Sequence, residues 1–577
     1  MIQSLKPYFI LTAAALALYL PFLGAVHLFD WDEINFAESA REMLLSGEYF
    51  QVQINFMPFW EKPPLFIWMQ ALSMKIFGVN EFAARFPNAL CGVLTLLTIY
   101  RLGKDHYSEK VAMYWVLAYA GSMTPQLYFK SGIIDPFFNL FIFLSIVMVA
   151  KAALLDPKPR KWLYFFGGIF LGLALLTKGP VAVIVVGLCI LVVLILRSFH
   201  FFFDWKDVLL FSLSTLLISF AWYGVEFLRH GFWFFEEFIR YQKELASQSV
   251  ASHGQPWYYH PLVLLVGAFP ASIIALRAFG ENLTWTQKEK NFRLWMAVLF
   301  WVVLILFSMV KTKIIHYSSL CYLPLTFLAA LVMESSRIKR IQYRRSNAFL
   351  VGTVGTLIFA AFFLIPLLMG TSLKPSLLAT IDDPFALANL RQDIIFPWFT
   401  YLPAAIMFIT LLFSVRWLWM RELEKGFPML FGGTLLALQV FLVLVVPRIE
   451  LFTQGPAIAF IEKVQAEEAY IETLGYKSYA QYYYGKTMPI GDTASFKHFS
   501  DSTRHLYAGT ASREIPNQQF KAWLLHGDID KPAYFIAKYP IDENLIAHPN
   551  LEFLGQEGGF VFYRRKINEP GSSSRPE

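Results

Sequence analysis

Residues 180–197 read PVAVIVVGLCILVVLILR, an apolar run that carries no charge until Arg197. A helix needs about 20 such residues to cross the hydrocarbon core of a bilayer. Runs of this kind recur along the 577-residue chain, which is 56% hydrophobic and 16% charged, against about 25% charged residues in an ordinary soluble domain. The sequence therefore predicts an all-α polytopic membrane protein.

Thirteen apolar runs are candidate transmembrane helices. They lie near residues 8–27, 86–101, 111–129, 136–153, 162–177, 180–197, 207–224, 259–276, 294–310, 317–335, 347–369, 398–415 and 427–446. The first run lacks a small-residue cleavage site, so it is interpreted as a retained helix rather than a signal peptide. With a cytoplasmic N-terminus, the inner loops and span ends hold 22 Lys and Arg, and the outer segments between spans hold 13. This bias follows the positive-inside rule, and it explains the net charge of +7 without nucleic acid as a partner.

The same orientation divides the chain into two predicted domains, a transmembrane domain over residues 1–447 and a soluble outer α/β domain over 448–577. The composition becomes that of a soluble domain after Pro447, with predicted strands at 533–537 and 560–563 and predicted helices at 456–474 and 541–547. The long outer loop 28–85 contains two short apolar periodicities. They predict amphipathic helices along the membrane interface.

Ionisable residues gather at the predicted outer side, where chemistry at a lipid–water boundary would occur. The acidic candidates for catalysis are Asp32, Glu33 and Asp135. The candidates for binding a phosphate are Lys62, Lys178, Arg240, Lys311, Lys313 and Tyr317. Ionisable side chains at membrane depth cost roughly 2.5–3.5 kcal/mol each, so they usually face a cavity. Lysines could surround an anionic headgroup, while a carboxylate could accept the proton of an acceptor hydroxyl.

Several candidates also have a purely structural interpretation, whereas the acidic pair Asp32-Glu33 has no obvious anchoring role. Lys178, Lys311 and Lys313 lie at span ends and could extend to the interface. Asp135, which precedes a proline, could start a helix. Glu61 and Lys62 could be a solvated ion pair of little energetic value. Glu61 and His253 could instead share a divalent metal ion, and no other cofactor is predicted.

Several of these motifs, read in order, resemble a known family. They are Asp32-Glu33 with Phe36-Ala37-Glu38, Arg41-Glu42-Met43-Leu44, Ser46-Gly47, Glu61-Lys62-Pro63, Asp135-Pro136-Phe137, Thr177-Lys178-Gly179, Pro256-Trp257-Tyr258-Tyr259 and Lys311-Thr312-Lys313 with Tyr317. The chain is similar over residues 1 to about 330 to the bacterial lipid A aminoarabinose transferases (ArnT). More broadly, it resembles the protein O-mannosyltransferase superfamily of GT-C membrane glycosyltransferases. One departure is Asn35, where the family often has Arg.

The resemblance implies a GT-C fold of about 13 transmembrane helices with a small C-terminal periplasmic α/β domain, in the bacterial inner membrane. It implies transfer of a sugar, such as 4-amino-4-deoxy-L-arabinose, from a polyprenyl (undecaprenyl) phosphate to lipid A or a related acceptor, with inversion. Asp32 would be the base or its closest partner, and Lys62 would bind the donor phosphate. Lys178, Lys311, Lys313 and Tyr317 would line the donor pocket, and Asp135 would support the centre. Two alternatives stay open: transfer to protein Ser or Thr, and transport of a lipid-linked sugar.

Overall fold

The computed structural model describes most of the chain. The described residues are 2–59, 61–154, 157–232, 236, 239–240, 243, 255–281, 283, 286–371, 373–490, 493–507, 515–541, 545 and 548–567. They form two compact units. Unit 1 consists of Met1–Ala25, Glu61–Leu364 and Phe399–Val443, and unit 2 consists of Val26–Trp60, Ile365–Trp398 and Leu444–Glu577.

Helices dominate the described residues. In chain order they are α1 (Ile2–Tyr19), α2 (Asp32–Ser46), α3 (Leu65–Phe77), α4 (Glu81–His106), α5 (Glu109–Ala120), α6 (Met123–Tyr128), α7 (Asp135–Ala152), α8 (Pro157–Lys178), α9 (Val181–Leu196), α10 (Trp205–His230), α11 (Tyr259–Gly267), α12 (Ala271–Ala275), α13 (Gln287–Met309), α14 (Tyr322–Arg337), α15 (Arg345–Gly370), α16 (Lys374–Leu378), α17 (Pro384–Leu390), α18 (Leu402–Trp419), α19 (Leu423–Leu444), α20 (Val446–Thr453), α21 (Gly455–Val464), α22 (Ala480–Tyr483), α23 (Thr493–Thr503) and α24 (Ile515–His526). Short 3-10 helices cover Leu276–Phe279, Ile315–Cys321, Trp398–Tyr401 and Arg504–Tyr507. The strands are β1 (Gln53–Ile54), β2 (Met57–Pro58), β3 (Tyr470–Leu474), β4 (Ala533–Lys538), β5 (Glu552–Glu557) and β6 (Phe560–Arg565).

The helices confirm a multi-pass membrane protein. Among the described residues, nine helices are long and apolar enough to cross a membrane, and a tenth crossing results if the bent pair Tyr259–Gly267 and Ala271–Phe279 is one span. The predicted total of thirteen is not confirmed, because the other three predicted runs form shorter helices. The run over 111–129 divides at Gly121 into α5 and α6, of 12 and 6 residues, and α9 has only 16 residues.

Close contact between α8 and α10 in unit 1 depends on glycine. A Cβ atom added at Gly168 would lie 2.0 Å from Oγ of Ser214, and one at Gly172 would lie 2.7 Å from Cβ of Ile218. The Thr215 hydroxyl on α10 also donates to the Gly168 carbonyl at 3.1 Å. Small residues let helix backbones approach closely inside a membrane, where dispersion contacts hold helices together. Helix α8 is thereby fixed against α10, and α8 also packs along α7.

Unit 2 contains a four-stranded mixed sheet in the order β3-β4-β6-β5. The predicted strands at 533–537 and 560–563 are confirmed as parts of β4 and β6. The predicted helix over 456–474 is wrong at its end: α21 stops at Val464, and residues 470–474 form β3, paired in parallel with β4. All five residues of β3 are buried, so burial beside β4 prevails over local helical spacing. The predicted helix at 541–547 lies largely outside the described residues.

Both apolar periodicities of the 28–85 loop form helices, α2 and α3. Helix α2 differs from the predicted amphipathic surface helix, because every residue from Glu33 to Met43 is buried. Its polar side chains find partners inside the protein. The Glu42 carboxylate, for example, accepts the backbone N–H groups of Asn55 and Phe56 at 2.6 and 2.8 Å.

Candidate functional site

Unit 1 contains a cavity of about 240 Å³ at the ends of several helices. Its polar lining comes from Lys62, Asp135, Asn139, Lys178, His316 and Tyr317. The rest of its wall is apolar and is formed by Phe138, Pro180, Val181, Ile184, Val185, Leu306, Phe307, Val310 and Leu320. Such a mixture, mainly apolar with a few convergent polar groups, is typical of a ligand site.

An ion pair between Lys178 and Asp135 forms the centre of this lining. The Lys178 Nζ atom lies 2.7 Å from Oδ1 of Asp135, and the two side chains are 15% and 4% exposed. Asp135 is the first residue of α7, and Lys178 is the last residue of α8. A carboxylate at a helix N-terminus and a cation at a C-terminus are each favoured by the helix dipole. The pair therefore stabilises both helix ends while it presents one anion and one cation to the cavity.

A tight turn after Lys178 holds its side chain in place. Gly179 has a φ of +94°, which a residue with a side chain rarely adopts, and α9 begins two residues later at Val181. The chain thus reverses within Gly179-Pro180, and Lys178 and Val181 line the same cavity. Thr177-Lys178-Gly179, identified by sequence, is therefore a turn between two membrane helices.

Aromatic rings surround the Lys178 ammonium. Its Nζ atom lies 5.2 Å from the ring centre of Tyr317 and 5.8 Å from that of Phe138. The Tyr317 ring packs in turn on Phe307 at 5.3 Å. Cation–π attraction stabilises an ammonium in such surroundings by about 0.5–2 kcal/mol. These rings therefore favour a cationic side chain at this point of the cavity wall, which suits a site for an anion.

Two residues that the sequence analysis did not select, Asn139 and His316, also line the cavity. Asn139 lies one turn after Asp135 on α7, and its Nδ2 donates to the Ser319 hydroxyl at 2.7 Å. The Ser319 hydroxyl donates to the His316 carbonyl at 2.5 Å. This chain of bonds fixes the 3-10 helix Ile315–Cys321 against α7. The spacing of Asn139 four residues after Asp135 was a usable signal, because residues i and i+4 share a helix face.

The other predicted phosphate-binding residues have different surroundings. Lys313 is 5% exposed, and its ammonium donates to the Val310 carbonyl at 2.7 Å. Lys311 is exposed and does not belong to the cavity lining. Arg240 lies beside a separate hollow with Phe232, Glu236, Ile239 and Lys243. The cavity therefore unites Lys62, Asp135, Lys178 and Tyr317 of the predicted set.

Asp32 and Glu33 belong to unit 2, where they start α2. The Glu33 carboxylate accepts the Phe29 backbone N–H at 2.9 Å. Asp30, two residues before Asp32, accepts the Tyr479 N–H at 3.3 Å. Burial raises the pKa of Asp30 to about 6, although hydrogen bonds from Ser478 and Tyr479 and the charges of Lys538 and Lys477 lower it in part. Burial thus disfavours the charged form of this one carboxyl group in the acidic segment.

The predicted metal site stays untested. Its ligand His253 lies outside the described residues. Within the ranges that the structure describes, His, Cys, Asp and Glu side chains form no group of three or more that could hold a metal ion.

Comparison with known proteins places the chain among membrane glycosyltransferases. A family model described as dolichyl-phosphate-mannose-protein mannosyltransferase matches residues 61–223. An uncharacterised protein of Aquifex aeolicus is 30% identical over 321 residues, 55% of this chain and 71% of its own length. An undecaprenyl phosphate-alpha-4-amino-4-deoxy-L-arabinose arabinosyl transferase of Photorhabdus laumondii is 26% identical over 322 residues, 54% of this chain and 56% of that transferase.

A solved structure extends the similarity to nearly the whole fold. The crystal structure of ArnT from Cupriavidus metallidurans bound to undecaprenyl phosphate matches with a TM-score of 0.75 at 16% identity, over 99% of this chain and 100% of that chain. The helices and the fold are those of a multi-pass membrane protein, and the family model and the named relative mark the chain as a membrane glycosyltransferase. The chain belongs to the GT-C superfamily of membrane glycosyltransferases and is ArnT-like.

Proposed function

We propose that the protein transfers a sugar from a polyprenyl phosphate, such as undecaprenyl phosphate, to a hydroxyl of lipid A or a related lipid or glycan. The proposed sugar is 4-amino-4-deoxy-L-arabinose, which the Photorhabdus relative carries in its name. The observation that supports this function most is the cavity of unit 1, where a lysine paired with an aspartate meets a long apolar wall.

The two parts of that cavity match the two parts of a lipid phosphate. Lys62 and Lys178 supply positive charge for the phosphate, which lysine binds as a compact point charge. Val181, Ile184 and Val185 line the apolar side, where the first isoprenoid units would gain about 25 cal/mol for each Å² of apolar surface removed from water. A water-soluble nucleotide sugar has no apolar tail to bury against these side chains, so a lipid-linked donor fits the cavity better.

The proposed reaction is a single displacement at the anomeric carbon. The acceptor hydroxyl oxygen forms a bond to that carbon while the bond from carbon to the phosphate oxygen breaks, and the polyprenyl phosphate leaves with the bonding electron pair. The hydroxyl proton passes to a carboxylate. Attack opposite the leaving group inverts the anomeric configuration, and lysines near the phosphate stabilise the negative charge that develops on it.

Asp32 is the proposed base, with Glu33 as its neighbour and alternative. Asp135 is proposed as a positioning residue, because its carboxylate holds the Lys178 ammonium at 2.7 Å. A lysine that is already oriented loses less side-chain freedom when the phosphate binds. Tyr317 would act in the same way through its ring.

The proposed site faces the periplasm from the bacterial inner membrane. This orientation is supported by the excess of Lys and Arg in the loops at the opposite ends of the helices. On this proposal the donor and a lipid acceptor would both enter from the bilayer.

Transfer to protein Ser or Thr is the second candidate. It is favoured by the match of residues 61–223 to a mannosyltransferase model whose named acceptor is protein. Donor and chemistry would be unchanged, so the two candidates differ only in the acceptor.

A reconstituted transfer assay tests the proposal. The full chain in proteoliposomes would receive radiolabelled undecaprenyl-phosphate aminoarabinose or dolichyl-phosphate mannose, with lipid A and envelope protein as acceptors. We expect label in lipid A, and a loss of at least about hundredfold in Lys62→Ala and Asp32→Asn. Lys161→Ala, an exposed lysine of the same unit, serves as the matched control and should keep full activity.

Three other results would contradict parts of this assignment. Label in protein alone would favour the second candidate. Full activity in Asp32→Asn would exclude Asp32 as the base. Labelled donor that crosses sealed vesicles without any transfer would restore the transporter alternative and exclude the enzyme.

A further inference from the structure

Unit 1 has a further hollow, a groove of about 840 Å³ between α15 and α18. Both helices are long and apolar enough to span the membrane. The groove shares no lining residue with the cavity described above. Large apolar side chains such as Leu357, Phe408 and Leu412 in its lining are more than half exposed, so its walls are open to the surroundings of the helices.

Small residues of α15 create this groove. Gly352 has no side chain, and a Cβ atom there would make ordinary contact with Val415 of α18 at 3.6 Å. The hydroxyl groups of Thr353 and Thr356 donate to the carbonyls of Phe349 and Gly352 at 3.1 and 2.7 Å. Because both hydroxyls are occupied by the backbone, their methyl groups and the neighbouring rings give an apolar surface.

One end of the groove is basic and aromatic. Arg416 and Trp419 line it there, and the Arg345 guanidinium lies 5.5 Å from the Trp419 ring centre. Arg345 starts α15 and Trp419 ends α18, so this is the end where the sequence predicts the cytoplasmic surface. The neighbouring acid Glu422 is paired with Lys425 at 2.8 Å, which leaves the groove end positively charged.

We infer that this groove binds one phospholipid with an anionic headgroup, its phosphate at Arg345 and Arg416 and an acyl chain along α15 and α18. A phospholipid is the expected occupant because the groove lies between membrane-spanning helices and has a basic end. Lipid is the surrounding solvent of membrane-spanning helices, and basic pockets between such helices at the cytoplasmic side bind anionic headgroups. Tryptophan at the groove end lies at the depth that aromatic residues prefer, the level of the headgroups. This site is distinct from the proposed donor site and does not depend on it.

Native mass spectrometry of the full chain tests the inference. Delipidated protein in detergent would be titrated with phosphatidylglycerol and separately with phosphatidylcholine of the same chain length. Each basic residue near a membrane surface contributes about 1 kcal/mol to anionic lipid binding, roughly fivefold. We therefore expect the R345Q/R416Q variant to bind the first phosphatidylglycerol roughly 25-fold more weakly, with its phosphatidylcholine affinity unchanged.

Two further variants distinguish the contribution of the lipid's acyl chain from that of its headgroup. Gly352→Leu places a side chain in the groove and should weaken both lipids, while Lys161→Gln, an exposed lysine of a predicted cytoplasmic loop that does not line the groove, should change neither. Equal phosphatidylglycerol affinity in R345Q/R416Q and wild type would overturn the inference. Displacement of the lipid by millimolar inorganic phosphate would also overturn it, since it would reveal an anion site without a role for the acyl chain.

Discussion

Two regions of this protein place charged residues among apolar ones, and they use them differently. In unit 1, Lys178 and Asp135 pair at 2.7 Å on the wall of a cavity lined by other polar groups. In unit 2, helix α2 buries Glu38, Arg41 and Glu42. Arg41 donates two bonds of 2.7 Å to Glu38 and a third of 2.7 Å to the Thr487 carbonyl.

The two regions differ in the hydrogen-bond partners of their buried charged groups. On α2, carboxylate and guanidinium groups are bonded to each other and to backbone atoms, so they hold a loop in place. At the cavity, the ammonium of Lys178 is a threefold donor that faces a space large enough for a ligand. Buried charge alone therefore does not identify a functional site, whereas buried charge on a cavity wall does.

The largest expected effect is the loss of Lys178. Lys178→Met should reduce transfer by at least about hundredfold, and it should lower the melting temperature because Asp135 is left buried without its cation. Adding Asp135→Asn should restore the melting temperature but not the activity. Transfer assays and thermal denaturation in detergent measure the two effects, with Lys161→Met as control. A double variant that regains activity would make this pair structural and remove the contrast between the regions.

A smaller effect, on stability alone, is expected at Glu42. Glu42→Ala leaves the N–H groups of Asn55 and Phe56 without their acceptor, at a cost of about 3 kcal/mol in unfolding free energy. Burial and the neighbouring Glu38 raise the pKa of Glu42 well above its usual range, so Glu42→Gln resembles the neutral form and should cost much less. The transfer rate per folded molecule should stay unchanged in both variants. A Gln variant that is stable but inactive would assign the buried Glu42 carboxylate itself to the chemistry and contradict the comparison.

The smallest expected effect is a pH dependence from Asp30. Its pKa is raised to about 6, so between about pH 4 and 6 the folded chain binds a proton that the unfolded chain has lost, and stability falls as pH rises through that window. Asp30→Asn should flatten this slope and raise stability at pH 7 by about 1–2 kcal/mol, a figure reduced for partial solvent exposure. Unfolding midpoints from pH 4 to 8 measure it, with the exposed Asp501→Asn as control. An unchanged slope would show that other groups control stability in this range.

The site could be predicted from sequence in part. Asp135, Lys178 and Tyr317 were selected as polar or ionisable groups at span ends and Lys62 as a cation of the outer loop, and these four line one cavity. Lys311 and Lys313 were selected by the same rule, yet neither lines it, because span-end position does not determine the direction of a side chain. Asn139 was missed, since an uncharged polar residue in an apolar run carries no cost that the rule detects, and His316 was not singled out within the segment 311–317.

The sequence by itself determined that the chain is a membrane protein and where most of its helices lie, because hydrophobic length and charge bias act through local composition. It also carried the motifs by which the family is identified. Only the tertiary structure decided that Asp135 pairs with Lys178, that residues 470–474 join a sheet, and that α15 and α18 enclose a groove. These features depend on contacts between residues distant in sequence, and such contacts leave no local pattern to read.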